Sequence, residues 1–209
     1  MSKKILAVLI LIVLGIGAWL LMNPLKQASG LTASLSRSEA ESFSRKLDKL
    51  TASGKHPSNT VEFRESEINS YLRHDVAEMF PKGLREVNIH PLENSISANV
   101  RINFDEIESA EKNFLISALF RGEHALEVIA SLKAQNHTGS YDLVGVRLDQ
   151  KEIPKPLVDL LMQKFVLPKY PLAKPNTSFP LPYNIEKIDI VPGKLIVHQA
   201  TWQYEKRRY

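Results

Sequence analysis

The sequence predicts an α+β domain, a curved antiparallel sheet of about six strands packed against two amphipathic helices and preceded by a transmembrane helix. Three patterns carry that expectation. Ile96, Ala98, Val100, Ile102 and Phe104 alternate with Ser97, Asn99, Arg101, Asn103 and Asp105, as a strand with one buried and one wet face requires. Ile68, Tyr71, Leu72, Val76, Met79 and Phe80 recur at helical spacing, and Leu157, Leu160, Leu161 and Phe165 do so again. Residues 5–22 carry no charge and are almost wholly apolar.

At about 1.5 Å per residue the run 5–22 spans roughly 27 Å, close to the hydrocarbon thickness of a bilayer. Lys3 and Lys4 precede it and Trp19 falls near its far end. Basic residues stay on the cytoplasmic side, and indole rings favour the interface. The expectation is a single-pass membrane protein held through residues 5–22, with a cytoplasmic N-terminus and a periplasmic or extracellular domain. A cleaved signal peptide shares the charged start and apolar run and also places the domain outside the cytoplasm. The organisation read on this basis is an anchor at 1–24, a polar helical stalk at 25–59, the domain at 60–200 and a basic aromatic tail at 201–209. Leu35, Phe43, Leu47 and Leu50 are the sparse apolar positions of the stalk, too few for a sustained heptad.

Within the domain the elements follow in order. Val61 and Phe63 mark a short strand, and a helix runs over 65–80 with Glu65 and Glu67 in its first turn, where the helix dipole favours acids. Strands follow over 85–92 and 96–104, turned by Glu93-Asn94-Ser95. Residues 106–121 fit a helix or a loop. Strands over 124–135 and 140–150 are joined at Asn136-His137-Thr138-Gly139, with a bulge near Gly145 where the apolar phase shifts. A helix over 155–167 has Pro156 in its first turn, where proline is tolerated. Pro168, Pro171 and Pro175 then forbid helix. A hairpin over 185–200 closes the chain, with Pro192-Gly193 at the centre of a type II turn.

Composition excludes much chemistry. The chain has no cysteine, so disulfides, zinc–thiolate sites and thiol nucleophiles are absent. The formal charge is +4, but residues 1–30 supply three lysines and no acid, leaving the rest near neutral. With an extracytoplasmic location this argues against nucleic acid as a partner. His56, His74, His90, His124, His137 and His198 are scattered without metal-ligand spacing, and no cofactor motif occurs. There is no nucleophile elbow or phosphate loop. Asp105, Glu106 and Glu108 read as a solvated strand end rather than an acid–base pair. The expectation is no catalytic residue and no enzyme; a cleft joining His124 or His198 to a carboxylate is what a hydrolase would need.

Glu67-Ile68-Asn69-Ser70-Tyr71-Leu72, directly after a short strand, spells E-x-N-x-Y-L. It resembles the first-helix signature of bacterial membrane-anchored or secreted families grouped with TULIP-type lipid-binding domains. Ile153-Pro154 with Leu157, Val158 and Leu161 is similar to the word that follows the sheet in such proteins. The order of elements is similar over about residues 60–200, although Arg64 stands where the families often have Ser or Thr. The resemblance implies an elongated apolar groove able to take an acyl chain or another hydrophobic ligand in the cell envelope. Its walls would come from Ile68, Leu72, Val76, Val100, Ile102, Phe104, Val128, Leu132, Leu161 and Phe165, each of which also reads as simple core. Asn69 has a structural reading, an amide that bonds nearby backbone. The alternative function is a membrane-anchored interaction module for an envelope protein partner. It would work through the proline-rich loop 168–183 with Tyr170, Phe179 and Tyr183, and without a small ligand.

Overall fold

The computed structural model describes residues 35–52, 59–80, 82–106, 121–168 and 171–200, apart from the side chains of Ala52, Phe165 and Leu172. The expectations placed on residues 5–22, on 107–120, on Tyr170 and on the tail 201–209 lie outside the described residues. Among the described residues no helix is long and apolar enough to cross a membrane.

The architecture is α+β with two antiparallel sheets. Helix α1 (Arg37–Ala52) comes first, then β1 (Asn59–Arg64) and helix α2 (Glu65–Tyr71). A π turn (Leu72–Val76) and a 3-10 turn (Ala77–Met79) prolong α2. Strands β2 (Leu84–Leu92), β3 (Ser95–Asn103), β4 (Glu123–Gln135) and β5 (Thr138–Leu148) form a meander. The two-residue strands β6 (Lys151–Glu152) and β7 (Phe179–Pro180) both pair with β5, at opposite ends, and complete a six-stranded sheet. Helix α3 (Lys155–Leu161) lies between them in sequence, and β8 (Ile185–Val191) and β9 (Lys194–Gln199) end the domain.

The six-stranded antiparallel sheet was expected, but the first strand and the closing hairpin are not part of it. They form a separate sheet in the order β1-β9-β8. The two sheets meet at the Pro192-Gly193 turn, where Gly193 adopts φ +78, the left-handed value a type II turn requires. Its carbonyl accepts from the N–H of Glu65 at 2.8 Å, one of the donors a helix start leaves without an internal partner, and its own N–H donates to Pro91 at 2.9 Å. The predicted bulge is present. Ile129 faces Gly145 and Ala130 faces Leu143, so Val144 is the extra residue and stands 63% exposed.

Of the stretch read as a polar stalk, the described helix Arg37–Ala52 packs into the core. Ala40, Phe43, Leu47 and Leu50 recur on one face of α1, and each is essentially fully buried. The Phe43 ring stacks on Tyr71 at 4.5 Å and tilts against Phe63 at 4.8 Å between centroids. Burying each of the three larger side chains stabilises the fold by roughly 1.5–3 kcal/mol.

The signature residues of α2 explain how α1 and the large sheet are attached to it. Glu67 is fully buried; its carboxylate accepts from Lys46 Nζ at 2.6 and 2.7 Å, Ser42 Oγ at 2.7 Å and the Arg64 backbone N–H at 2.9 Å. The last of these ties Glu67 back to the helix start, one half of a capping box, and the Arg64 guanidinium adds a longer contact of its own. From α1, Glu39 accepts from Ser66 at 2.7 Å and from Ser70 at 3.3 Å.

Asn69 reaches β2, the edge strand of the large sheet. Its Oδ1 accepts from the Ile89 N–H at 2.7 Å and its Nδ2 donates to the Ile89 carbonyl at 2.9 Å. The amide therefore supplies the pair of bonds a further strand would have made to that edge. Asn69→Ala leaves a buried donor and acceptor unpaired and should destabilise by about 2–3 kcal/mol in urea unfolding. A loss below about 0.5 kcal/mol would show that water replaces the amide there.

Candidate hydrophobic site

The apolar face of the large sheet is closed at one side and open at the other. Cross-strand partners share a face, so its rows can be read across β3, β4 and β5. One row is Val100, Leu126 and Leu148; the next is Ala98, Val128 and Val146; a third is Ile96, Ala130 and Leu143. The β3 members are all buried, whereas Leu148, Val146 and Leu143 on β5 are only partly buried, as is Leu126 on β4. The covering layer thus gives out towards β5.

At that open side the Ile153 N–H donates to the Val146 carbonyl at 2.8 Å, which starts α3 beside the β5 edge. Phe104, Leu126, Leu143 and Leu161 all pack on the margin of the core while staying partly exposed. His124 closes the end of the row. Its ring lies edge-on to Phe104 at 5.7 Å and it faces Ile102 across the strands. Its Nδ1 is 2.6 Å from Asp149 and its Nε2 is 2.8 Å from the Arg121 carbonyl. The Asp149 hydrogen bond holds the imidazole above its ordinary value against the effect of burial, and the Arg121 carbonyl and the charges of Asp149 and Asp105 add to it. The site is therefore an apolar strip with one ionisable, well-anchored group at its margin.

The ten residues expected to wall a groove fall between the closed core and its margin. Ile68, Leu72, Val76, Val100 and Ile102 belong to the closed core with α1 and α2, and Val128 is buried as well. Phe104, Leu132 and Leu161 are partly buried at the core margin, with Phe104 in a 3-10 turn (Phe104–Glu106) after the strand instead of within it. The Phe165 side chain lies outside the described ones. Periodicity cannot distinguish a buried apolar residue from one on an open wall, so Leu126, Leu143, Val146 and Leu148 were missed. The signal that finds them is the register across β3, β4 and β5.

A second histidine–carboxylate pair lies on the small sheet. His198 lies 2.9 Å from Asp189 and 3.3 Å from Thr60, and Lys187 bonds Asp189 at 2.7 Å. The Lys187 hydrogen bond, with that of His198, holds Asp189 below its ordinary value against burial. Thr60 and His198 are directly opposed across β1 and β9, and the side chains of His198 and Asp189 are each 35% exposed. This is a cross-strand ladder on an outer sheet surface. Among the described residues no group of three or more His, Asp and Glu could hold a metal ion.

The proline-rich loop is partly internal. Phe179 is buried against Gly139, where an added Cβ would come within 2.5 Å of its ring, and Tyr141 donates to the Ala173 carbonyl. No protein-family model matches the chain, and no curated protein does.

Proposed function

We propose that the protein is a membrane-tethered, extracytoplasmic domain that binds a lipid or another hydrophobic ligand along the open apolar strip between β4, β5 and α3. The observation that carries this reading is the loss of cover across the sheet: Val100, Leu126 and Leu148 stand in one row, and only the first is fully buried. Partly open aliphatic side chains in a continuous row favour an acyl chain, because roughly 25 cal/mol is gained for each Å² of apolar surface removed from water. The apolar run at 5–22 supports the tether. The likeness of the E-x-N-x-Y-L segment to TULIP-type families agrees with the ligand class.

Native mass spectrometry of residues 31–209 tests the ligand. The unaltered domain should carry a copurifying species of acyl-chain mass. Leu148→Glu, which sets a charge in the row, should lose it, with occupancy falling at least tenfold, about 1.4 kcal/mol. Val144→Glu, on the exposed bulge, should retain it. A domain that carries no added mass, or a Leu148→Glu variant that keeps it in full, contradicts the proposal.

A further inference from the structure

Helix α3 (Lys155–Leu161) and the following π turn (Met162–Val166) form one helical stretch. Lys155, Asp159 and Gln163 fall four residues apart and make one polar stripe, and exposed Lys164 stands four residues after Leu160, beside it. Leu157, Val158, Leu160, Leu161, Met162 and Val166 occupy most of the remaining circumference. A helix that is apolar over so much of its surface is ordinarily buried. Here none of these six is: Leu160 is 42% exposed, and the others are partly buried. Leu161 touches the core, and Leu160, about 100° further round, faces away from it.

The charge of this region points to what covers it. Residues 151–175 contain five lysines and two acids, while the rest of 31–200 contains 16 basic and 20 acidic residues. A cationic stretch of a mildly acidic domain thus coincides with its barest apolar helix. We propose that this stretch lies in the surface of an anionic bilayer, with its leucine face at the headgroup–acyl boundary and its lysines on lipid phosphates. A surface that is apolar and carries basic side chains fits that interface. The proposal rests on the membrane-proximal location above, but not on the bound ligand, since a domain with an empty strip docks in the same way.

Because the chain has no cysteine, Leu160→Cys gives a unique spin-labelling site. The full chain in nanodiscs containing phosphatidylglycerol is compared with Lys133→Cys, an exposed position on β4. The label at 160 should collide with oxygen and be shielded from aqueous nickel chelate, and the label at 133 should show the reverse. Lys155→Glu with Lys164→Glu, or phosphatidylcholine in place of phosphatidylglycerol, should restore collisions with the chelate at 160. Chelate access at 160 in anionic nanodiscs overturns the proposal, as does protection from both reagents, which means that protein covers the face. Shielding that is unchanged in phosphatidylcholine overturns the role of the lysines. The copurifying mass is read independently, so failure here leaves the ligand proposal standing or falling on its own test.

Discussion

Phe43→Ala should destabilise the domain by about 3–5 kcal/mol, the range for removing a large buried aromatic side chain without collapse of the space it leaves. The expected size follows from its position. Phe43 is 1% exposed, lies between Phe63 of β1 and Tyr71 of α2, and belongs to a helix whose Leu47 and Leu50 are equally buried. Arg45→Ala, on the exposed face of α1, should change stability by less than about 0.5 kcal/mol. Urea unfolding followed by circular dichroism measures both. A Phe43→Ala loss below about 1 kcal/mol would mean that α1 is a stalk and not part of the core.

The second large effect is electrostatic. Burial alone would raise the Glu67 carboxyl, but Lys46, the Arg64 N–H, Ser42 and the Arg64 guanidinium outweigh it and hold the pKa at about 2 instead of 4.5. A depressed carboxylate stabilises the fold fully above its unfolded value and ceases to do so as pH falls through its folded value. Glu67 therefore contributes about 3 kcal/mol above pH 4.5, lost progressively between there and pH 2. Glu67→Gln should remove that contribution at pH 7, and the difference between the variant and the unaltered chain should shrink by roughly half near pH 3. A difference independent of pH across this window would contradict the charged network.

The meander was legible because its strands are half wet. Alternation along 96–104 shows which side is inside, and the phase change near Gly145 marks the bulge that leaves Val144 outside. Helix α1 was legible as a helix but was set outside the domain, because its serines, acids and lysines look solvated. Several of them are instead the partners of α2: Ser42 and Lys46 serve Glu67, and Glu39 serves Ser66 and Ser70, across 21 to 31 residues of sequence. Nothing local reveals a bond of that length. The same holds for Asn69, whose expected backbone partner proved to be Ile89 on a strand edge. β6 and β7 have two residues each and no period to read. Assignment of β1, β8 and β9 to a second sheet is set by packing between elements.

The open strip was invisible for the same reason. Val100, Leu126 and Leu148 are equally apolar in sequence, and only their order across the sheet separates a core residue from a wall. Photocrosslinking of the full chain in nanodiscs with a diazirine-bearing fatty acid locates the ligand directly. Adducts at Leu126, Val146, Leu148 or Leu161 are the predicted result; adducts confined to residues 5–22, or none in the domain, would contradict a lipid-binding strip.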